Sequence, residues 1–212
     1  MSITNCQIAY YSLNGNADDS SGNRHHGTLH GPIPAMDRFE RKNRAIEFVK
    51  NEDLIELPHQ IADNLSDFSL SFWVKTQKKG CIISGANNLN HNEIVVGINS
   101  EGYLSITLKQ RFVMQSNKPI IDNCWHHIVI TRDGSDNEVT IYVDNRVAGQ
   151  GDMAEGKLVV ADSGLWLGND QDSIGSGWEP DAQFIGSLDE LRFYKRILCE
   201  REMNKLFIFK KE

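Results

Sequence analysis

Short runs with an apolar residue at every second position constrain this chain more than any other feature. In Phe68-Ser-Leu-Ser-Phe-Trp-Val-Lys-Thr76, the side chains of Phe68, Leu70, Phe72 and Val74 share one side of an extended backbone. Gly102–Gln110 repeats the pattern through Leu104, Ile106 and Leu108. His126–Gly134 places Ile128 and Ile130 together and ends in Asp-Gly, and Glu138–Arg146 aligns Val139, Ile141 and Val143. A period of two belongs to a strand with one buried face. The loop Asp133-Gly-Ser-Asp-Asn137 has hairpin length, and Asp144-Asn145 closes another turn because Asn tolerates positive φ.

Further strands are expected at Ile8–Leu13, Ala45–Phe48, Leu54–Leu57, Cys81–Ser84, Glu93–Ile98, Leu165–Leu167 and Gly186–Tyr194. One helix is expected at the end, Cys199–Leu206, with a turn at Gln60–Leu65. Strands recurring at roughly ten-residue spacing make a sandwich or a barrel. No linker, composition shift or internal repeat divides the chain, so residues 1–212 are read as one domain. That is a normal size for a large β-sandwich.

Charge and hydropathy exclude several partners. With a formal net charge of −7, the overall field does not draw nucleic acid or anionic lipid. The densest basic run, Arg38, Arg41, Lys42 and Arg44, carries Glu40 among its cations and reads as a solvated loop. No apolar run approaches the roughly 18 residues of a membrane span. The opening Met1-Ser-Ile-Thr-Asn-Cys-Gln has no basic segment or apolar stretch of a signal peptide, so a cytoplasmic location is the default expectation. Cys6, Cys81, Cys124 and Cys199 allow three pairings, and their spacing selects none. Free thiols are expected, with Cys6 and Cys199 the pair best placed for a bridge.

Three segments in register resemble the laminin-G-like, concanavalin A-like jelly-roll superfamily. The first is Tyr11-Ser-Leu-Asn-Gly-Asn-Ala-Asp-Asp-Ser-Ser-Gly-Asn-Arg-His-His-Gly-Thr28, similar to the family's opening strand and loop. The second is Trp125-His-His-Ile-Val-Ile-Thr-Arg-Asp-Gly134 followed by Ile141-Tyr-Val-Asp144, similar to its paired middle strands. The third is Phe184-Ile-Gly-Ser-Leu-Asp-Glu-Leu-Arg-Phe-Tyr-Lys-Arg-Ile-Leu198, similar to its closing strand and short helix. The resemblance spans about residues 8 to 207. It implies an all-β, two-sheet antiparallel jelly-roll sandwich with a short C-terminal helix. Trp125 is expected in the core, with one of His126 and His127 facing in and the other out. Imperfect alternation of Leu188, Leu191 and Phe193 with Ile185 calls for a bulge or bend near Gly186.

Asn14, Asn16, Asp18, Asp19, Ser20, Ser21 and Asn23 crowd the opening loop. Oxygen donors of this kind suit a hard cation, although Asx-turn chemistry also explains them. The resemblance implies a structural calcium shared by this loop and the closing strand, on Asn16, Asp18, Asp19 and Asp189.

Enzyme signatures are absent. Glycanases on this fold carry carboxylates spaced to share one strand face, and no such run occurs here. There is no GxSxG, HExxH or GxxxxGK motif. Cys124 and His126 would share a strand face, which leaves a thiolate–imidazole pair geometrically open.

The remaining candidate is the polar, glycine-rich segment Gly168–Asp181. Trp178 offers a flat face for a sugar ring, and Asn169, Asp170 and Asp172 offer hydrogen bonds to hydroxyls. Trp178 could equally plug one end of the sandwich. Asn87-Asn-Leu-Asn-His-Asn92 is a second amide-rich loop. The expected function is a carbohydrate-binding, lectin-like module whose partner is a glycan. The alternatives are a protein-interaction or self-assembling sandwich, which allows a homo-oligomer, and an enzyme with a site that follows no known motif.

Overall fold

The computed structural model describes residues 3–152 and 155–209. Its strands in chain order are β1 (Gln7–Tyr11), β2 (Thr28–His30), β3 (Ile33–Ala35), β4 (Ala45–Phe48), β5 (Leu54–Leu57) and β6 (Phe68–Thr76). They continue as β7 (Gly80–Gly85), β8 (Ile94–Ile98), β9 (Tyr103–Leu108), β10 (Arg111–Pro119), β11 (His126–Asp133) and β12 (Glu138–Val143). The last are β13 (Arg146–Asp152), β14 (Leu165–Leu167), β15 (Gln171–Ser173), β16 (Ser176–Trp178) and β17 (Gly186–Tyr194). A helix, α1 (Glu200–Ile208), closes the described chain, and a 3-10 turn covers His59–Ile61.

Two antiparallel sheets form the sandwich. The first runs β13-β12-β11-β6-β17-β4-β3, with β1 also paired to β17. The second runs β10-β9-β8-β7-β14-β5-β2. The chain's first and last strands are therefore neighbours, with Tyr11 opposite Leu191. The core lies between the inner faces. It joins Phe68, Leu70, Phe72, Val74, Ile128, Ile130, Val139, Ile141 and Val143 of the first sheet to Val96, Leu104, Ile106, Leu108, Leu165 and Leu167 of the second. Every alternating set read from the sequence faces this core. No described helix is long and apolar enough to cross a membrane.

The closing strand departs from simple alternation four residues later than expected. Asp189 pairs with Trp73, but Arg192 already pairs with Ser71, so one residue of β17 has no counterpart. That residue is Glu190, whose φ is +58°. The bulge sits there rather than at Gly186. Leu188 and Leu191 both still face the core, while Asp189, Glu190 and Arg192 are thrown to the outer face. Helix α1 lies over that face, its Met203 and Leu206 packing with the preceding Leu198 against Val129 and Tyr194. At the helix start, Glu202 accepts from the Cys199 backbone N–H and takes both Arg196 guanidinium nitrogens at 2.7 and 2.8 Å. The Arg196 contact holds the Glu202 carboxyl down at about 2.

The two histidines of the middle strand point to opposite faces of the sheet, as expected, and both are buried because the helix covers the outer one. His127 faces the helix side, where its Nε2 meets Ser71 Oγ at 3.0 Å and its ring packs against Trp73 and Phe207. Burial pushes its pKa down to about 3, so it stays neutral. His126 sits at the rim between Asp144 (2.9 Å) and Asp122 (3.1 Å). Trp125 is half-buried and outside the core, because it precedes the first ladder residue of β11.

All four cysteines are free thiols; Cys81 is buried and the other three are exposed. Both His126 ring nitrogens are occupied by carboxylates, so the Cys124–His126 pair is not formed.

Candidate functional site

Gly168 ends β14 with φ +107°, and a Cβ there would stand 2.6 Å from the Asp53 carbonyl oxygen. Only glycine allows the chain to leave the sheet at this point. Asn169 then turns inward, 3% exposed, and accepts the Asp170 N–H at 2.8 Å. It braces the turn and does not face solvent.

The next residues fold back as the β15–β16 hairpin across the outer face of the second sheet. Gln171 is the anchor. Its side-chain amide donates to the Ser84 and Gly164 carbonyls, and its oxygen accepts the Gly175 N–H. A fully buried amide satisfied at both ends fixes the hairpin firmly. Trp178 packs edge-on against Trp166, ring centres 5.2 Å apart, and remains half-buried. It neither plugs the sandwich nor stands fully free.

This anchoring brings together two segments that are distant in sequence. A cleft of about 250 Å³ is lined by Asn87, Asn88, Leu89 and His91 on one side and by Asp172, Ser173 and Ile174 on the other. The Asn87 side chain organises its own loop, accepting from the Leu89 and Asn90 N–H groups. Asn92 has a buried Oδ1 with no hydrogen-bond partner.

Carboxylates crowd the hairpin. The close approach of Asp172, with the charges of Asp172, Asp170 and Asp181, raises the pKa of Glu179. Burial and the Asp172 charge raise that of Asp170, against hydrogen bonds from Ser84 and Gln171. Like charges held this close favour a bound cation. Among the described residues no three His, Cys, Asp or Glu side chains are grouped so that they could hold a metal ion. The donors Asp170, Asp172 and Glu179, with nearby amide oxygens, are of the kind calcium takes.

The opening loop does not fit a cation. Asp19 is 8% exposed, and its carboxylate accepts from Tyr10 N–H (2.9 Å), Ser21 N–H (2.8 Å), Ser21 O–H (2.9 Å) and His25 N–H (3.0 Å). Burial pushes its pKa up, but these donors prevail and hold it below the usual range. Asn16 accepts the Asp18 N–H, and the Asp18 side chain is 68% exposed. Asp189 is fully buried on the far side of the bulge and binds the Arg38 guanidinium at 2.9 Å. Asn16, Asp19 and Asp189 thus have oxygens committed to protein donors, and Asp18 points largely into solvent, 3.6 Å from the His26 ring. The sequence did not single out Glu179; its place just past the end of β16 carried no periodic signal.

A two-sheet antiparallel jelly roll with a hairpin folded across one outer face defines the class of this molecule. The model of the concanavalin A-like lectin/glucanases superfamily matches residues 50–204. The chain belongs to that superfamily. Human pentraxin-4 is 30% identical over 151 residues, covering 67% of this chain and 32% of pentraxin-4. The rat sushi, von Willebrand factor type A, EGF and pentraxin domain-containing protein 1 is 26% identical over 152 residues, 69% of this chain and 4% of that protein. The chain thus spans a third or less of these relatives. Domain 4 of AbnA, a GH43 extracellular arabinanase from Geobacillus stearothermophilus solved in complex with arabinotriose, superimposes with a TM-score of 0.70 at 20% identity, covering 94% of this chain and 97% of that domain.

Proposed function

We propose that this protein is a carbohydrate-binding, lectin-like module whose ligand sits in the cleft between the Asn87–His91 loop and the β15–β16 hairpin. The observation that carries the reading is the cleft itself, where the amides and imidazole of Asn87, Asn88 and His91 face Asp172 and Ser173 across a gap of about 250 Å³. Calcium belongs to the proposal at the hairpin carboxylates and not at the opening loop. A bound cation would supply a coordination point for sugar hydroxyls. Asp172 and Glu179 would contribute carboxylate oxygens to it, Asn88 would hydrogen-bond the sugar, and the exposed part of Trp178 would cover an apolar ring face. The superfamily's association with lectins and the arabinotriose complex of the AbnA domain support a saccharide as the ligand class.

A glycan array with and without chelator tests this. Binding that needs calcium, and that Asp172→Asn and Trp178→Ala each weaken at least tenfold, is the expected result. Absence of glycan binding in protein that demonstrably binds calcium overturns it. A stable oligomer without glycan affinity favours the self-assembling alternative.

A further inference from the structure

On the outer face of the first sheet, α1 covers only part of the surface. Beyond its edge two hollows of about 400 and 230 Å³ adjoin, sharing Glu47, Lys75 and Ser187. Strand register explains why they are continuous. Ser187 of β17 pairs with Glu47 of β4 on one side and with Lys75 of β6 on the other, so the three form one row across the sheet. Lys42 and Asn43, from the loop before β4, line one end, and Lys78 and Asn123 line the other. Crossing β3, β4, β17 and β6 takes about 14 Å at ordinary strand spacing.

The charge of this groove runs against that of the molecule. The chain carries −7 overall, yet the groove holds three ammonium groups and one carboxylate. Lys109 and Lys118 elsewhere each meet a carboxylate at 3.3 Å. Among the described residues Lys42, Lys75 and Lys78 have no such ion pair. Three unneutralised cations along one polar trough attract a ligand bearing several anionic groups.

We propose that this groove binds an acidic oligosaccharide, a short run of uronate- or sulfate-bearing sugars, at a site separate from the hairpin cleft. Lys42, Lys75 and Lys78 pair with the anionic groups as point charges. Asn43, Asn123 and Ser187 hydrogen-bond hydroxyls between them, and Glu47 accepts from a hydroxyl. A saccharide suits the site better than a peptide. The strands of the floor have their backbone groups committed to the ladders, so an extended peptide gains no main-chain pairing there. The lining has no aromatic ring for a neutral sugar to stack on, so the anionic groups must supply the affinity.

The test is calorimetric titration of the full chain with a heparin-derived hexasaccharide and, separately, an oligoglucuronate, in chelator and at several salt concentrations. Chelator removes any contribution from the calcium-dependent cleft, so failure here and failure of the lectin reading are distinguishable. At least one of the two saccharides binds without calcium. Lys75→Glu weakens that binding at least tenfold, and Lys75→Gln lowers the salt slope by roughly one counterion or less. Asp172→Asn leaves it unchanged. Unaltered thermal melting of Lys75→Glu shows that folding is intact; if that variant melts early, Lys42→Glu with Lys78→Glu takes its place. The proposal is overturned if neither saccharide binds, if the lysine variants bind normally, or if a poly-glutamate peptide binds as tightly as the sugars.

Discussion

Replacing Asp189 by alanine separates two roles for that carboxylate. Its partner Arg38 has a side chain only 5% exposed, 2.9 Å away, while Asp189 itself is fully buried. At this separation, and an effective dielectric of about 20, the attraction is about 6 kcal/mol, offset by desolvation of both groups. Truncating one partner leaves the guanidinium beside Trp73 without its carboxylate. Losses of this kind run to about 3–5 kcal/mol. That is a large part of the 5–15 kcal/mol that typically separates folded from unfolded chains, and equals roughly 6–20 °C in Tm for this size. Urea denaturation of the wild type and Asp189→Ala, each with calcium and with chelator, measures it. The same loss is expected in both conditions, and Arg38→Met with Asp189→Leu recovers most of it. A loss under about 1 kcal/mol, or one that chelator abolishes, would refute the ion-pair reasoning and return Asp189 to the role of calcium ligand.

Three further outcomes are expected. Tyr11→Phe removes the 2.6 Å hydrogen bond from the buried hydroxyl to the His25 carbonyl and lowers stability by about 1–3 kcal/mol in the same denaturation assay. His126 has a raised pKa, chiefly from its hydrogen bond to Asp144. Its stabilisation is therefore full below the unfolded value and lost as pH rises through the folded one; the Tm gap between wild type and His126→Gln should narrow from pH 6 to pH 9, and a gap that widens contradicts the assignment. Gly168→Ala meets both a positive φ and the Asp53 carbonyl, so it should lower Tm and weaken cleft binding together, read by melting and by the glycan array.

The sequence by itself determined the sandwich. Alternation at Phe68–Val74, Leu104–Leu108, Ile128–Ile130 and Val139–Val143 assigns an inner face to each strand, because a strand's side chains change face at every residue and only one face can be dry. The helix at the chain end was legible from the family resemblance. Trp178, Asp170 and Asp172 were legible as site candidates because a polar, glycine-rich connection between strands stands out against that alternation. Only the tertiary structure decided what the polar residues do. Asp19 and Asp189 look like calcium ligands in one dimension, but a carboxylate's role depends on whether N–H groups or a guanidinium reach it first. The Asn87–His91 loop and the hairpin share one cleft because Gln171 pins the hairpin across Ser84, a contact between residues 87 positions apart. The lysine groove depends on strand register, which aligns Glu47, Ser187 and Lys75 from three distant segments. Local periodicity fixes which way a side chain faces; which partners it meets is settled by long-range pairing, and that leaves no local trace in the sequence.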